Sequence, residues 1–152
     1  MLKYRTSGDI FTEEVEAIVN TVNCVGVMGR GIALQFKNTF PENYKAYADA
    51  CNKGTLRLGR VFTYHVGKFS YPHYIINFPT KHHWRDKSDI KDIDSGLNSL
   101  IEEIKKLNIQ SIAIPALGCG LGGLEWEQVK QKIENHFKKL SQIHTIVFRP
   151  RI

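Results

Sequence analysis

Apolar runs of strand length alternate along this chain with segments of helical period, an order that calls for a mostly parallel sheet with helices on both faces. The clearest strands are residues 17–22, 74–78, 111–116 and 144–148. Ile90, Ile93, Leu97, Leu100, Ile101, Ile104 and Leu107 recur at steps of three or four, predicting an amphipathic helix over residues 90–107. Trp126, Val129, Ile133, Phe137 and Leu140 repeat that pattern, with lysines on the other face. Between Gly31 and Cys51 two shorter helices are expected, broken near Pro41, because proline suits a first turn and disfavours helix in the residue before it.

At 152 residues and 42% hydrophobic, the chain can bury one continuous core, so a single domain over 1–152 is expected. No apolar run approaches the roughly 20 residues of a membrane-spanning helix, and the first ten residues lack a signal-peptide core. Cys24, Cys51 and Cys119 show no CxxC spacing; a reducing, cytoplasmic location is expected, with neither a metal nor a cofactor. A net charge of +6 favours a polyanionic partner, although many basic surfaces are simply solvated.

Two glycine-rich segments each connect an expected strand to an expected helix. The first is Asn23-Cys24-Val25-Gly26-Val27-Met28-Gly29-Arg30-Gly31 and the second Gly118-Cys119-Gly120-Leu121-Gly122-Gly123. Glycines there let the backbone approach a ligand closely, and a helix N-terminus offers free N–H groups to an anion. Neither segment has the GxGxxG of a dinucleotide fold or the GxxxxGK of a P-loop. At one edge of a sheet the pair would grip a diphosphate from both sides; the alternative is two tight turns.

These segments, with Gly8-Asp9-Ile10, the Ala17-Ile18-Val19-Asn20 strand and the Ile114-Pro115-Ala116-Leu117-Gly118 strand end, resemble a macrodomain over nearly the whole chain. The resemblance implies a three-layer α/β/α fold around a central mixed, mostly parallel sheet. It also implies an ADP-ribose site in which Asp9 accepts from the adenine amino group beside Ile10 and Asn23 meets the distal ribose. Val27, Met28, Gly29, Arg30 and Gly31 would surround the diphosphate from one side, and Gly118, Cys119, Gly120, Leu121 and Gly122 from the other. Asp9 and Asn23 read equally as turn or capping residues.

Asn77-Phe78-Pro79-Thr80-Lys81-His82-His83-Trp84-Arg85 leaves the end of a central strand. A lysine partly desolvated beside a sugar loses proton affinity and becomes a usable nucleophile or base; the alternative for Lys81 is a solvated surface lysine. Together with the first glycine loop, this segment is similar to one macrodomain branch. That branch contains a human glycohydrolase acting on ADP-ribosylated glutamate and the bacterial DarG antitoxins, which remove ADP-ribose from thymidine in single-stranded DNA; both use a lysine matching Lys81. The human-type enzyme has an aspartate where this chain has Gly122, and the strand-end segment is closer to the DarG type. The resemblance therefore implies a DNA ADP-ribosyl glycohydrolase, with modified single-stranded DNA as substrate, ADP-ribose as product and a DarT-type toxin as partner; the alternatives are a reader module that binds ADP-ribose without turnover and a hydrolase of protein-linked ADP-ribose. DarG antitoxins carry a further C-terminal region, so the expected domain is either a part of a longer antitoxin or a stand-alone hydrolase.

Lys81 would act at the anomeric carbon of the distal ribose, through a Schiff base or as an acid or base. His82, His83, Trp84 and Arg85 are candidates for DNA contact, the cations meeting phosphates and a base stacking on Trp84. The alternative is a loop pinned by a core tryptophan. Adjacent His82 and His83 point apart, which argues against a shared metal.

Overall fold

The computed structural model describes residues 1–150; Arg151 and Ile152, the end of the expected domain, lie outside the described residues. Six strands form one sheet: β1 (Leu2–Arg5), β2 (Ala17–Val22), β3 (Phe62–His65), β4 (Tyr74–Pro79), β5 (Ser111–Ile114) and β6 (His144–Phe148). Their spatial order is β1-β6-β5-β2-β4-β3, with every neighbouring pair parallel except β3 against β4. The helices are α1 (Gly31–Thr39), α2 (Pro41–Asn52), α3 (Ile90–Leu107) and α4 (Trp126–Phe137).

Period-two alternation divides the strand side chains between two cores. Ala17 and Val19 of β2, with Ile76 and Phe78 of β4, pack against Ile93, Leu97 and Leu100 of α3 and Val129 and Ile133 of α4. Ile18 and Ile75 point the other way, onto Phe36 of α1. Further along that face Val22 meets Met28 and Tyr47. Three layers result, helix pair on sheet on helix pair.

Asn20, Asn77 and Asn43 lie between the two apolar clusters of the α1 and α2 side, fully buried. The Asn77 amide donates to Asn43 Oδ1 at 2.8 Å and accepts from both Asn20 and Asn43 at 3.2 Å. This amide chain ties α2 to the two central strands directly below the first glycine loop.

α3 has the expected bounds, starting on an Asp89 N-cap that accepts from Lys91 N and ending at left-handed Asn108. The two helices around Pro41 are present, with Pro41 as the first residue of α2. Two details differ: β5 stops at Ile114 because Pro115 cannot donate to a ladder, and α4 gives way at Lys138 to a single 3-10 turn. The edge strands β1 and β3 carry no strong sequence signal, being four residues long with mixed exposure. Among the described residues no helix is long and apolar enough to cross a membrane.

Candidate active site

Parallel pairing of β1, β6, β5, β2 and β4 puts their carboxyl ends on one edge, so the segments following them share it. The chain leaves β2 toward α1 on one face and leaves β5 toward α4 on the other. Between these adjacent strands the connections part, which opens a crevice at the switch point.

The first glycine loop is held in shape by Asn23. Its Oδ1 accepts from Val25 N at 3.0 Å, Val27 N at 3.4 Å and the Tyr47 hydroxyl at 2.8 Å, while Nδ2 donates to the Val27 carbonyl at 2.8 Å. Buried Asn23 thus holds the loop in place through its side-chain amide. The Met28 side chain is buried against the core, which leaves only its backbone to face the crevice. Gly31 opens α1 at φ +58°, and Arg30 gives that helix no side-chain cap. Among the described residues, the N–H groups of Gly29, Arg30, Gly31 and Ile32 have no acceptor, leaving a row of donors for an anion.

The second loop turns through Gly118 at φ +72° and Gly123 at φ +79°. It closes with Cys119 N to Ala116 O, Gly123 N to Gly120 O and Leu124 N to Gly118 O. The N–H groups of Gly120, Leu121 and Gly122 stay without acceptors among the described residues. Burial pushes the Cys119 thiol up to about 11, which keeps it neutral and a poor nucleophile. Gly122 has a steric requirement: a Cβ there would lie 2.5 Å from the Gly118 carbonyl oxygen and closer still to Ser88 Oγ. An aspartate cannot occupy this position without moving the loop, which is the physical content of its glycine.

The segment after β4 joins the two loops. Thr80 N donates to Val22 O at 2.9 Å and Cys24 N to His82 O at 2.7 Å, extending the β2–β4 ladder alongside Lys81. Six residues on, Ser88 N donates to Gly122 O at 2.9 Å. Lys81 is half-buried. Burial holds its ammonium pKa below the ordinary value, the Lys87 charge lowers it further, and Asp86 partly opposes both. Lys87 lies along the second loop, its Nζ 3.7 Å from where a Gly123 Cβ would be.

His83 Nδ1 accepts from Arg85 N at 3.1 Å, and Asp86 Oδ2 accepts from His83 N at 3.0 Å, shaping the turn beyond Lys81. Trp84 is 45% exposed, with the Arg85 guanidinium 4.6 Å from its ring centroid and the His83 ring 5.0 Å away. It is therefore not a core tryptophan. His82 is exposed and offers its backbone carbonyl to Cys24.

At the far end of the crevice a cavity of about 410 Å³ is lined by Gly8, Asp9 and Ile10 after β1, Ile32 of α1, Ala116 after β5 and Phe148 of β6. Exposed Asp9 accepts from Phe11 N at 2.9 Å through Oδ1, as a cap, which leaves Oδ2 toward solvent. Ile10 is buried. Sequence reasoning missed Phe148, Ile32 and Ser88. Phe148 had the signal of an aromatic ending a strand, whereas Ser88 had none, because its role depends on a loop 34 residues away.

Residues 19–133 match the Macro domain family, and the chain belongs to that family. Within it, the chain is similar to DarG-type macrodomains. It is 49% identical over 144 residues to the DNA ADP-ribosyl glycohydrolase of Mycobacterium tuberculosis, covering 95% of this chain and 41% of that protein. The macrodomain of Mycobacterium tuberculosis DarG superposes with a TM-score of 0.96 at 49% identity, over 99% of this chain and 98% of that one. Thermosipho africanus DarTG in complex with ADP-ribose superposes at 0.85 with 39% identity, over 95% of this chain and 41% of that one. The chain thus spans about two fifths of the length of the curated glycohydrolases it matches.

Proposed function

We propose that this chain is a DNA ADP-ribosyl glycohydrolase that removes ADP-ribose from thymidine in single-stranded DNA. The observation that carries the reading is half-buried, pKa-depressed Lys81, set between two loops of unpartnered N–H donors. The glycohydrolase named in Mycobacterium tuberculosis, 49% identical, supports the same chemistry. Adenine is assigned to the cavity beside Phe148, with its amino group on the Asp9 carboxylate and Ile10 alongside. The diphosphate lies across the start of α1 and the second loop, which brings the distal ribose to Lys81.

There the bond between the anomeric carbon and the thymine nitrogen breaks, and its electron pair leaves with the base. A thymine imide anion is delocalised, so departure needs little help from an acid, consistent with a loop whose Gly122 admits no carboxylate. Lys81 acts by one of two routes. By the first, its neutral amine attacks the anomeric carbon as the thymine anion leaves and takes up the amine's proton, the ribose ring opens to a Schiff base as its ring oxygen gains a proton, and one water hydrolyses that imine to release ADP-ribose; by the second, Lys81 handles a proton while water attacks the anomeric carbon. His83, Trp84 and Arg85 contact the strand beside the modified base. The Thermosipho africanus DarTG relative, described as a transferase–glycohydrolase fusion, supports a DarT-type toxin as partner. Three free thiols accord with a cytoplasmic site of action.

The test is release of ADP-ribose from a thymidine-modified single-stranded oligonucleotide by the parental protein and Lys81→Ala, with a glutamate-modified protein in parallel. Release from DNA that depends on Lys81 is expected. Binding of free ADP-ribose without release from either substrate would make the chain a reader instead.

A further inference from the structure

The sequence from Ala50 to Arg85 contains no Asp or Glu, while it carries Lys53, Arg57, Arg60, Lys68, Lys81 and Arg85. Within it, β3 and β4 are joined by a hairpin over residues 66–73, which sits at the amino end of β4, across the sheet from the crevice. Its tip is unusually apolar for an exposed loop. Phe69 is fully exposed, at 106% of its reference area, and Tyr71 is 54% exposed. Val66 is exposed beside them. The tip is nonetheless shaped: Val66 N and Gly67 N both donate to His73 O, and His73 N to Glu16 O. Tyr71 stacks on the His73 ring, centroids 5.1 Å apart and planes within 17°. One face of Tyr71 is thereby backed, and its ring is oriented before any ligand arrives. Glu16, 3.8 Å from His73, is the carboxylate that the described ion pairs bring to this hairpin.

Two exposed rings, one of them backed by His73, with a nearby lysine and histidines are too small a surface for a stable protein interface, which needs about 800 Å² per partner. A nucleobase needs only one ring face, and the flanking phosphates need only cations. We infer that the β3–β4 hairpin is a second contact for single-stranded nucleic acid, with Phe69 and Tyr71 stacking bases and Lys68 meeting the backbone. The inference rests on the reading above for its choice of DNA as the strand. A strand lying in the crevice and along the β3 edge would cover the length of β4, about 20 Å for six residues, before reaching the tip.

The experiment measures anisotropy of a labelled, unmodified oligothymidylate of about 15 nucleotides, a length in the range single-strand sites cover. The parental protein is compared with Phe69→Ala/Tyr71→Ala, Phe69→Trp and Trp84→Ala, and each is also titrated with ADP-ribose. The double variant is expected to bind the oligonucleotide at least tenfold more weakly, Phe69→Trp to keep binding, and ADP-ribose affinity to stay unchanged in both. Parental oligonucleotide affinity in the double variant would overturn the inference, as would loss confined to Trp84→Ala. Loss of binding to a co-expressed toxin with DNA binding intact would assign the hairpin to a protein and overturn it equally. DNA binding through the hairpin without ADP-ribose release would refute the glycohydrolase reading alone.

Discussion

Replacing Gly122 with alanine tests how closely the second loop is built. The added Cβ would sit 2.5 Å from Gly118 O, an oxygen already accepting from Leu124 N at 2.9 Å, and closer still to Ser88 Oγ. Neither neighbour can yield freely, since the first is backbone and the second belongs to a buried residue. The methyl therefore moves the loop and loosens the Ser88 N to Gly122 O bond. Overpacking costs about 1–3 kcal/mol and a strained hydrogen bond about 1 kcal/mol, so the loss should total roughly 2–4 kcal/mol. At about 2–4 °C per kcal/mol in a domain of this size, melting should fall by roughly 5–15 °C. Gly120→Ala is the matched control: its Cβ meets nothing within 4 Å, and the change should stay within about 0.5 kcal/mol. Differential scanning calorimetry reads the stability, and isothermal titration with ADP-ribose should show about tenfold weaker binding for Gly122→Ala than for the parental protein. Removing the Ser88 side chain as well should recover part of the loss, because the clash with Gly118 O persists. Equal melting of the two alanine variants would refute the reasoning.

Three further outcomes follow from the geometry. Gly96→Ala in α3 places a methyl 2.6 Å from a Phe78 ring carbon, and chemical denaturation should show a loss of about 1–3 kcal/mol, with ADP-ribose affinity kept in the folded fraction. Lys87→Gln removes a cation that lowers the Lys81 pKa, so the proton leaves Lys81 at higher pH. If the neutral amine is the active form, the rising limb of the pH–rate profile moves upward for this variant; an unmoved limb would separate Lys87 from the reaction. Asp9→Ala should lose both the Phe11 N–H cap, about 1 kcal/mol, and the adenine acceptor, whereas Asp9→Asn should melt near the parental temperature and still bind ADP-ribose more weakly.

Much of the architecture was legible because burial writes itself into local period. α3 shows its seven apolar positions at helical spacing, and buried β2 and β4 read as mainly apolar runs interrupted by Asn20, Thr21 and Asn77. β1 and β3 were not legible, because an edge strand of four half-exposed residues has neither a run nor an alternation to read. The two glycine loops could be singled out from residue type and position after a strand, whereas Lys81 read on position alone as a surface lysine and was singled out by the resemblance to one macrodomain branch.

What the sequence determined by itself was therefore the set of chemically capable residues and the layers that carry them. Three things were decided only by tertiary structure. Asn23 is engaged with its own loop, since a side-chain amide takes whichever partners folding brings near. Lys81 has a depressed pKa because burial and Lys87 act on it together, neither of which is a property of one residue. Gly122 is required because the Gly118 carbonyl and the Ser88 side chain fill the space beside it. Each turns on distances set by the fold, some between segments far apart in the chain, as Tyr47 with Asn23 and Ser88 with Gly122, and local sequence encodes period and propensity but not those distances.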